Sequence, residues 1–575
     1  MKVSARPTEC QAFFRFLSLF IAPSTFRPTG IYNGIERPLQ FLSSGNRTLR
    51  FCSFRRCLCA GLLLALPRLV AAQQAVLDQG DYAHYVEKFN SMEDEPVRNL
   101  VPNAEAWPWM VANVPLFDCP DDQLEETYYY RWWTYRKHIK QTPDGLVLTE
   151  FLQPVGHAGP YNTVSCAYGH QVAEGRWLRD QRPLDEYTLF WFRSGPDGGQ
   201  ANHFHKFSSW AAAALYDRYL VTLDQEFLVD LLDDLIADYE TWEVERQLPN
   251  GLFWQFDVRD GMEESISGSR TAKNIRPTIN SYMAANARAI AQIATLADRQ
   301  EVVDRFTAKA DALQAKMIDA LWDPEAKFYK VRLEEEAASA DGLSNAREAV
   351  GFLPWTFHLA EPDQAEAWLQ IKQPGGFWAP CGLTTAERRH PEFRSHGSGS
   401  CEWDGAVWPF ATSQTLDGLA NLLRGPAQPY VSRRDYFEQL LTYARSHHRN
   451  GKPYLGEYLD ELTGNWLITG PKAERSRYYN HSTFNDLVIG GLVGIVPRAD
   501  DTVEVDPLLP PDAWDWFCLD GVPYHGHSLT VVWDRTGEHY GRGAGLAIWA
   551  DGREIARSAE LGRLTGALPA SGEAN

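Results

Sequence analysis

Positive charge is in the minority in this 575-residue chain. Lys and Arg number 55 against 75 Asp and Glu, a formal net charge of -20 at pH 7. Such a surface repels phosphate backbones and anionic headgroups, which argues against nucleic acid and membrane surfaces as partners and favours a neutral ligand. Cysteine is also sparse. Four of the nine (Cys10, Cys52, Cys57, Cys59) fall in the first 72 residues, leaving Cys119, Cys166, Cys381, Cys401 and Cys518. Five widely spaced thiols make neither a metal framework nor a disulfide-dense scaffold. One or two disulfides stay open, with Cys381 and Cys401 closing the shortest loop; a free thiol is equally open for each. The apolar run from Cys57 to Pro67 is too short to span a bilayer. No fixed-period self-similarity appears, so a repeat solenoid is disfavoured.

Aromatic residues, by contrast, are abundant, at 13% of the chain with 20 Trp. Indole faces stack sugar rings; a Trp-rich core accounts for the same count. The length predicts one large domain and a smaller one. Residues 1–72 read as a targeting segment. Arg55 and Arg56, the apolar run, and the small residues Val70, Ala71 and Ala72 have the three-part order of a secretory signal, which predicts a secreted protein. The signal-like stretch 55–72 lies unusually far from Met1, and a second apolar run from Phe13 to Pro23 leaves another targeting route open.

From 123 to 497 helical periods alternate with Gly/Pro-rich connections. The expected helices are 125–139, 163–178, 208–220, 225–246, 277–296, 301–321, 346–359, 363–371, 408–423, 433–447 and 484–493, with 184–192 as a twelfth. "FLVDLLDDLIADYE" carries one apolar stripe and reads as a helix covered on one side; "ETYYYRWWTYRKHI" and "TSQTLDGLANLL" are apolar or small nearly all round and read as inner helices. A dozen alternating inner and outer helices describe a mainly α fold, an (α/α)6 toroid of helical hairpins. After about 498 the text turns β-branched and alternating, with Asp-Gly and Asp-Pro turns, so 498–575 is expected to be a small β-rich unit packed on the toroid. Residues 73–122 are an N-terminal extension with a faint β signal.

In a toroid the connections at one end converge on a central funnel, so long irregular connections are the site candidates. They are 150–162, 247–276, 372–408 and 449–482. In the second, Asp257, Asp260, Glu263 and Glu264 crowd together beside Phe253, Trp254, Phe256 and Met262. A run of acids is ordinarily a solvated face, but apolar rings beside a carboxyl raise its pKa, as a general acid requires. In the fourth, Glu457 precedes Tyr458, Asp460 and Glu461. Two acid loops at one funnel supply the paired carboxylates of glycoside hydrolysis. In the third, Trp403, Asp404 and Trp408 sit where an irregular stretch becomes an inner helix; Asp404 is a third catalytic candidate, but suits a ligand hydroxyl or a helix cap better. His203, His205 and Lys206 in "NHFHKF" read as hydroxyl donors or packing. Their His-x-His spacing has no third ligand, and a zinc site needs at least three. "RSRYYNHS" adds Arg477, Tyr479 and His481; its formal glycosylation sequon at Asn480 is read as part of a buried polar network.

These segments together resemble the six-hairpin glycosidases of the trehalase, glucosidase I and mannosylglycerate hydrolase group. "WDGAVWPF" (403–410) is similar to that group's W-x-G-P-x-W-P segment, with Ala406 in place of the proline. "DGMEESI" (260–266) resembles its G-[WM]-D-x-S segment and "GEYLDELTG" (456–464) its E-x-Y-x-x-x-T-G segment; "NGLFW" (250–254) and "RPTINSY" (276–282) also fit. The likeness covers about residues 120–500. It implies Glu263 as general acid, with Glu264 as fallback, and Glu457 as general base. The family has Asp at the acid position, so Glu263 is a departure by one methylene. It further implies inversion at the anomeric carbon. The chain is read as an exo-acting enzyme on an α-linked sugar, and Trp254, Asp257, His203, His205, Lys206, Trp403, Asp404, Trp408, Tyr458, Arg477, Tyr479 and His481, at the funnel, are the expected ligand contacts. No metal or cofactor is expected; some toroidal relatives hold a structural Ca²⁺, but no loop here has Ca-ligand spacing. A polysaccharide lyase, which "RSRYYNHS" would suit, and a carbohydrate-binding protein without activity are the alternatives.

Overall fold

A computed structural model describes residues 75–334, 342–397 and 401–570. The targeting segment expected at 1–72 lies outside them. Six segments surround a central lumen: the helices Tyr168–Gly175, Ala211–Thr222, Pro277–Leu296 and Pro409–Arg424, the 3-10 and α turns Ala349–Phe352 and Leu353–Thr356, and the turns Phe484–Asp486 and Leu487–Val493. Outside them run Asp122–His138, Arg182–Arg193, Leu232–Arg246, Gln300–Leu321, Pro362–Ile371 and Arg433–Ser446. This is the (α/α)6 toroid.

The local sequence explains the ends of these elements. Pro183, Pro277 and Pro409 occupy first-turn positions, where a missing N–H costs nothing. Asp121 caps its helix by accepting from the Gln123 and Leu124 amides at 3.1 and 3.0 Å. Leu487–Val493 winds as a π-helix and stops at Gly494, whose φ of +91° and close approach to the Asp506 carbonyl, which occupies the place a Cβ would need, admit only glycine.

Two expectations change. Helix Asp122–His138 is buried all round, yet it does not line the lumen. It is an outer helix whose solvent side is covered by the N-terminal extension. Tyr82 and Tyr85 of the extension stack on Tyr129, and Phe89 meets Tyr130 and Trp133. All-round burial therefore marked a cover, not an inner position. Second, Cys119, Cys166, Cys381, Cys401 and Cys518 are all free thiols, so Cys381 and Cys401 are not bridged. Cys381 instead lies against the 460s turn, with Leu462 O at 3.5 Å.

The β-rich part is antiparallel. Strands order as Leu116–Asp118, Trp516–Tyr524, His527–Asp534, Gly545–Ala550 and Arg553–Ser558 in one sheet, and Ile495–Val496, Thr502–Val505 and Leu564–Ala567 in another. The faint β signal before 122 is the edge strand Leu116–Asp118, which pairs Phe117 with Leu519. The sheet is tied to the helices through Arg179, which donates to the Gly521 carbonyl at 2.5 Å, and the His525 amide, which donates to Val221 O at 2.9 Å. Among the described residues no helix is long and apolar enough to cross a membrane.

Candidate active site

Chemistry gathers where chain segments enter the N-terminal ends of the inner helices. The segment before Pro277–Leu296 is fixed first. Asp260, buried, accepts from Arg276 Nε at 2.7 Å, from Ser208 Oγ at 2.7 Å and from the Thr278 hydroxyl. Asp260 is thus a structural anchor between two helix starts. Beyond it the backbone turns left-handed at Gly261 (φ +72°) and again at Glu264 (φ +64°), a conformation that costs a non-glycine residue about 1 kcal/mol or more. The neighbours diverge. Glu264 reaches Arg270 at 3.0 Å and lies 3.6 Å from His396. Glu263 lies within electrostatic range of Asp257, Glu150 and Glu457, and its pKa is pushed up to about 7, by burial first and then by those carboxyls. The rings beside it in sequence make their own contacts. Phe253 packs edge-on against Tyr239, and Trp254 meets Phe256 and lies under Arg246 and Lys273. Met262 is buried in the core.

The second acid loop is pinned to the third connection. Leu459 and Val407 exchange backbone hydrogen bonds at 3.0 Å, and Leu459 also bridges Trp466. That register stacks Trp408 on Tyr458 (4.7 Å, 19°) and on Trp403 (4.6 Å, 23°). Trp403 Nε1, Trp408 Nε1 and the Tyr458 hydroxyl are buried without a hydrogen-bond partner among the described residues. Donors left so are costly unless a bound group completes them. Beside them the Glu457 carboxylate accepts from Arg475 Nη2 at 3.1 Å, while its amide is held by Ser476 Oγ at 2.9 Å. Burial raises Glu457 above the ordinary range, and Arg475 opposes the rise.

A third carboxyl completes the cluster, and the sequence reading did not single it out. Glu150 follows the hairpin Ile139–Thr142/Gly145–Leu148, and its carbonyl accepts from the Asn480 amide at 3.0 Å. It is buried, its Oε1 lies 2.8 Å from His481 Nδ1, Tyr479 hydrogen-bonds it, and burial pushes it up to about 7. His481 is held well below its ordinary pKa by burial, which favours the uncharged ring. Asn480 is buried, its side-chain amide on Thr149 O at 3.2 Å, consistent with a polar network.

The remaining expected contacts separate. Asp257, Tyr479, His481, Trp403, Trp408 and Tyr458 belong to the cluster or its aromatic column. Asp404 is buried, with Oδ2 accepting from the His396 amide at 3.0 Å and Oδ1 without a hydrogen-bond partner among the described residues. His205 is drawn to the outer ring, 2.7 Å from Asp238 and stacked on Trp242 at 4.4 Å. His203 packs on Trp191 and against Gly159, and Lys206 Nζ donates to His157 O at 2.6 Å; both brace the 150–162 connection. Arg477 turns to the N-terminal extension, over the Tyr478 ring with its guanidinium 3.5 Å from Met92 O. The arginine at the carboxylates is Arg475, two residues earlier.

Residues 160–482, more than half of the chain, match the family described as the mannosylglycerate hydrolase MGH1-like glycoside hydrolase domain. The chain belongs to the MGH1-like glycoside hydrolases. Every carboxyl of the cluster but Glu150 lies within the matched span of this MGH1-like chain. Residues 498–557 match the C-terminal domain of glycosyl hydrolase family 65. Among solved structures, one named sialidase is 49% identical with a TM-score of 0.82, over 85% of this chain and 45% of its own. The MGH1-like chain thus spans less than half the length of that relative. A GH78 family rhamnosidase of a Bacillus species shares the fold at 14% identity and TM-score 0.52, over 73% of this chain and 40% of its own. A GH63 mannosylglycerate hydrolase from Thermus thermophilus, solved with glucose, is 16% identical with a TM-score of 0.44, over 63% of this chain and 99% of its own. Membership is of hydrolases, which sets the lyase alternative aside.

Proposed function

We propose that the chain is a secreted, exo-acting glycosidase that hydrolyses an α-linked sugar with inversion, Glu263 acting as general acid and Glu457 as general base. The observation that carries this is the asymmetry of the two carboxyls. Glu263 has no ion pair among the described residues and is lifted to about 7, so much of it keeps its proton at neutral pH. Glu457 faces Arg475, which favours its ionised form. In the reaction Glu263 gives its proton to the glycosidic oxygen as the bond to the anomeric carbon breaks. Glu457 takes a proton from a water whose oxygen bonds to that carbon from the opposite face. Inversion requires the two carboxyls about 6.5–9.5 Å apart, with room for that water. The Trp403–Trp408–Tyr458 column, with its unpartnered donors, is suited to hold the sugar.

The names of the neighbours point to different sugars, so the substrate is taken from a screen in which sialosides, rhamnosides and mannosides stand beside glucosides. The product anomer, followed by NMR, tests the mechanism; retention of configuration rejects it. Binding without catalysis is the second reading, favoured by Glu263 standing where the related motif has Asp. It prevails if no glycoside in the screen is cleaved and Glu263→Gln and Glu457→Gln bind sugars as wild type does. The secretory route rests on the composition of 55–72. Mass spectrometry of exported protein is expected to find a mature N-terminus shortly after Ala72, and an uncleaved chain retained in the cell rejects it.

A further inference from the structure

The lumen has a second mouth. A cavity of about 520 Å³ opens at the C-terminal halves of the inner helices, away from the carboxylate cluster. Its walls come from the helix Tyr168–Gly175 and Arg176 after it, from Ala213–Leu220, Ala285–Gln292 and Ser413–Gly425, from Thr356–His358, and from residues between Thr483 and Pro497. The volume suits a small organic ligand.

Three aspartates face this space, in two different states. Asp486 is engaged through Oδ1, which accepts from Arg176 Nη2 at 2.8 Å and from Trp177 Nε1 at 2.6 Å. Asp217 and Asp417 have neither a hydrogen bond nor an ion pair among the described residues. Asp217 is exposed at the mouth and Asp417 half-buried; the cavity surroundings push their pKa values up to about 6 and about 7, with Asp486 adding a like charge and Arg176 opposing the rise. At the inner end His170 is almost wholly buried, and its Nε2 has no hydrogen-bond partner either. Beside these acceptors stand Trp210 and Phe357, ring centroids 6.1 Å apart. The site therefore offers unfilled polar groups around an aromatic wall.

The charge balance narrows the ligand. Arg176, Arg288 and Arg424 line the same space as the three aspartates, so the formal charges cancel and a simple cation gains no net field. An anion would meet two unpaired carboxylates. A neutral ligand rich in hydroxyl donors, with an apolar face for the rings, satisfies both. We propose that this far mouth is a second saccharide-binding site, sized for a neutral hexose unit and separate from the Glu263–Glu457 cluster.

Isothermal titration of the full chain with D-glucose, D-mannose and L-rhamnose tests it. At least one of the three is expected to bind, with an affinity that falls tenfold or more in Asp217→Ala/Asp417→Ala and is unchanged in Glu263→Gln. Should the double variant fail to fold, Ala173→Phe, which fills the cavity and leaves both carboxylates in place, is expected to give the same loss. Absence of heat with all three sugars overturns the proposal. So does binding that is indifferent to the Asp and Ala173 variants, or a response to Tris, an ammonium ion, without one to sugars.

Discussion

The two ends of the lumen hold carboxylates under opposite conditions. At the N-terminal ends of the inner helices, long connections gather the buried Glu150 and Glu457 with the half-buried Glu263, and Arg475 pairs with Glu457. At the C-terminal ends, Asp217 and Asp417 stand on regular helices in an open cavity, with no partner among the described residues. The difference shows what the toroid contributes at each end. Helices supply a ring of fixed positions. The long connections bring acids from distant parts of the chain together with an arginine beside Glu457, while the helices set theirs at fixed positions around a cavity.

The largest expected effects lie at the first end. Glu263→Gln and Glu457→Gln each remove one proton transfer and should lower turnover of the best glycoside by about 10²–10⁴-fold, measured by steady-state kinetics. The paired Asp217→Asn/Asp417→Asn should leave turnover within a few-fold. A comparable loss in that variant would mean that the reaction sits at the other mouth.

The ends also differ in stability. Asp260→Ala leaves Arg276 charged and wholly buried without its partner, which should cost about 3–5 kcal/mol in urea unfolding. Asp217→Asn/Asp417→Asn has the opposite sign. Both carboxyls have folded-state pKa values raised above their unfolded ones, so the stability they confer is present at acid pH and lost as pH rises through about 6 and about 7. Removing their charge should raise Tm at pH 8 and lose that gain by pH 4, as followed by circular dichroism.

How much of this could be read from the chain depends on whether a feature is contiguous. "DGMEESI" and "GEYLDELTG" carry their acids beside glycines and turn signals, so both loops were legible, as were the strands after 498. The toroid was legible because its helices alternate in amphipathicity, although Asp122–His138 misled. Its second covering surface, the helix at 83–90, lies outside the periodic region. Glu150 was hidden as a lone acid at the start of an apolar stretch. Its burial depends on a hairpin before it and on Asn480, some 330 residues later. Arg475 and Arg477 differ only in which way the end of a short helix points. Asp217, Asp417 and Arg176 each read as one polar residue on a separate helix, and nothing in the text joins them.

The carboxylate cluster can be dissected by pH. If Glu263 is the proton donor, kcat/KM should fall as pH rises through about 7, where it loses its proton, and should fall again at acid pH as Glu457 is protonated. Glu150→Gln removes one of the negative charges that lift Glu263. The alkaline limb should then move to lower pH, with activity at pH 6 largely kept. A limb that stays in place while overall activity drops would make Glu150 a packing residue only.

The smallest effect separates two neighbours. Glu264 is half-exposed, paired with Arg270 and near His396, and turned from Glu263 by its left-handed backbone. Surface pairs of this kind contribute about 0–1 kcal/mol, and its carboxylate has a cation where a proton donor needs none. Glu264→Gln should therefore leave kcat and the alkaline limb within about twofold of wild type, corresponding to less than about 0.5 kcal/mol in the barrier. A loss matching that of Glu263→Gln would transfer the acid role to Glu264. It would also require the segment to flip about Gly261 when sugar binds, since only then could the second carboxyl reach the place the first now holds.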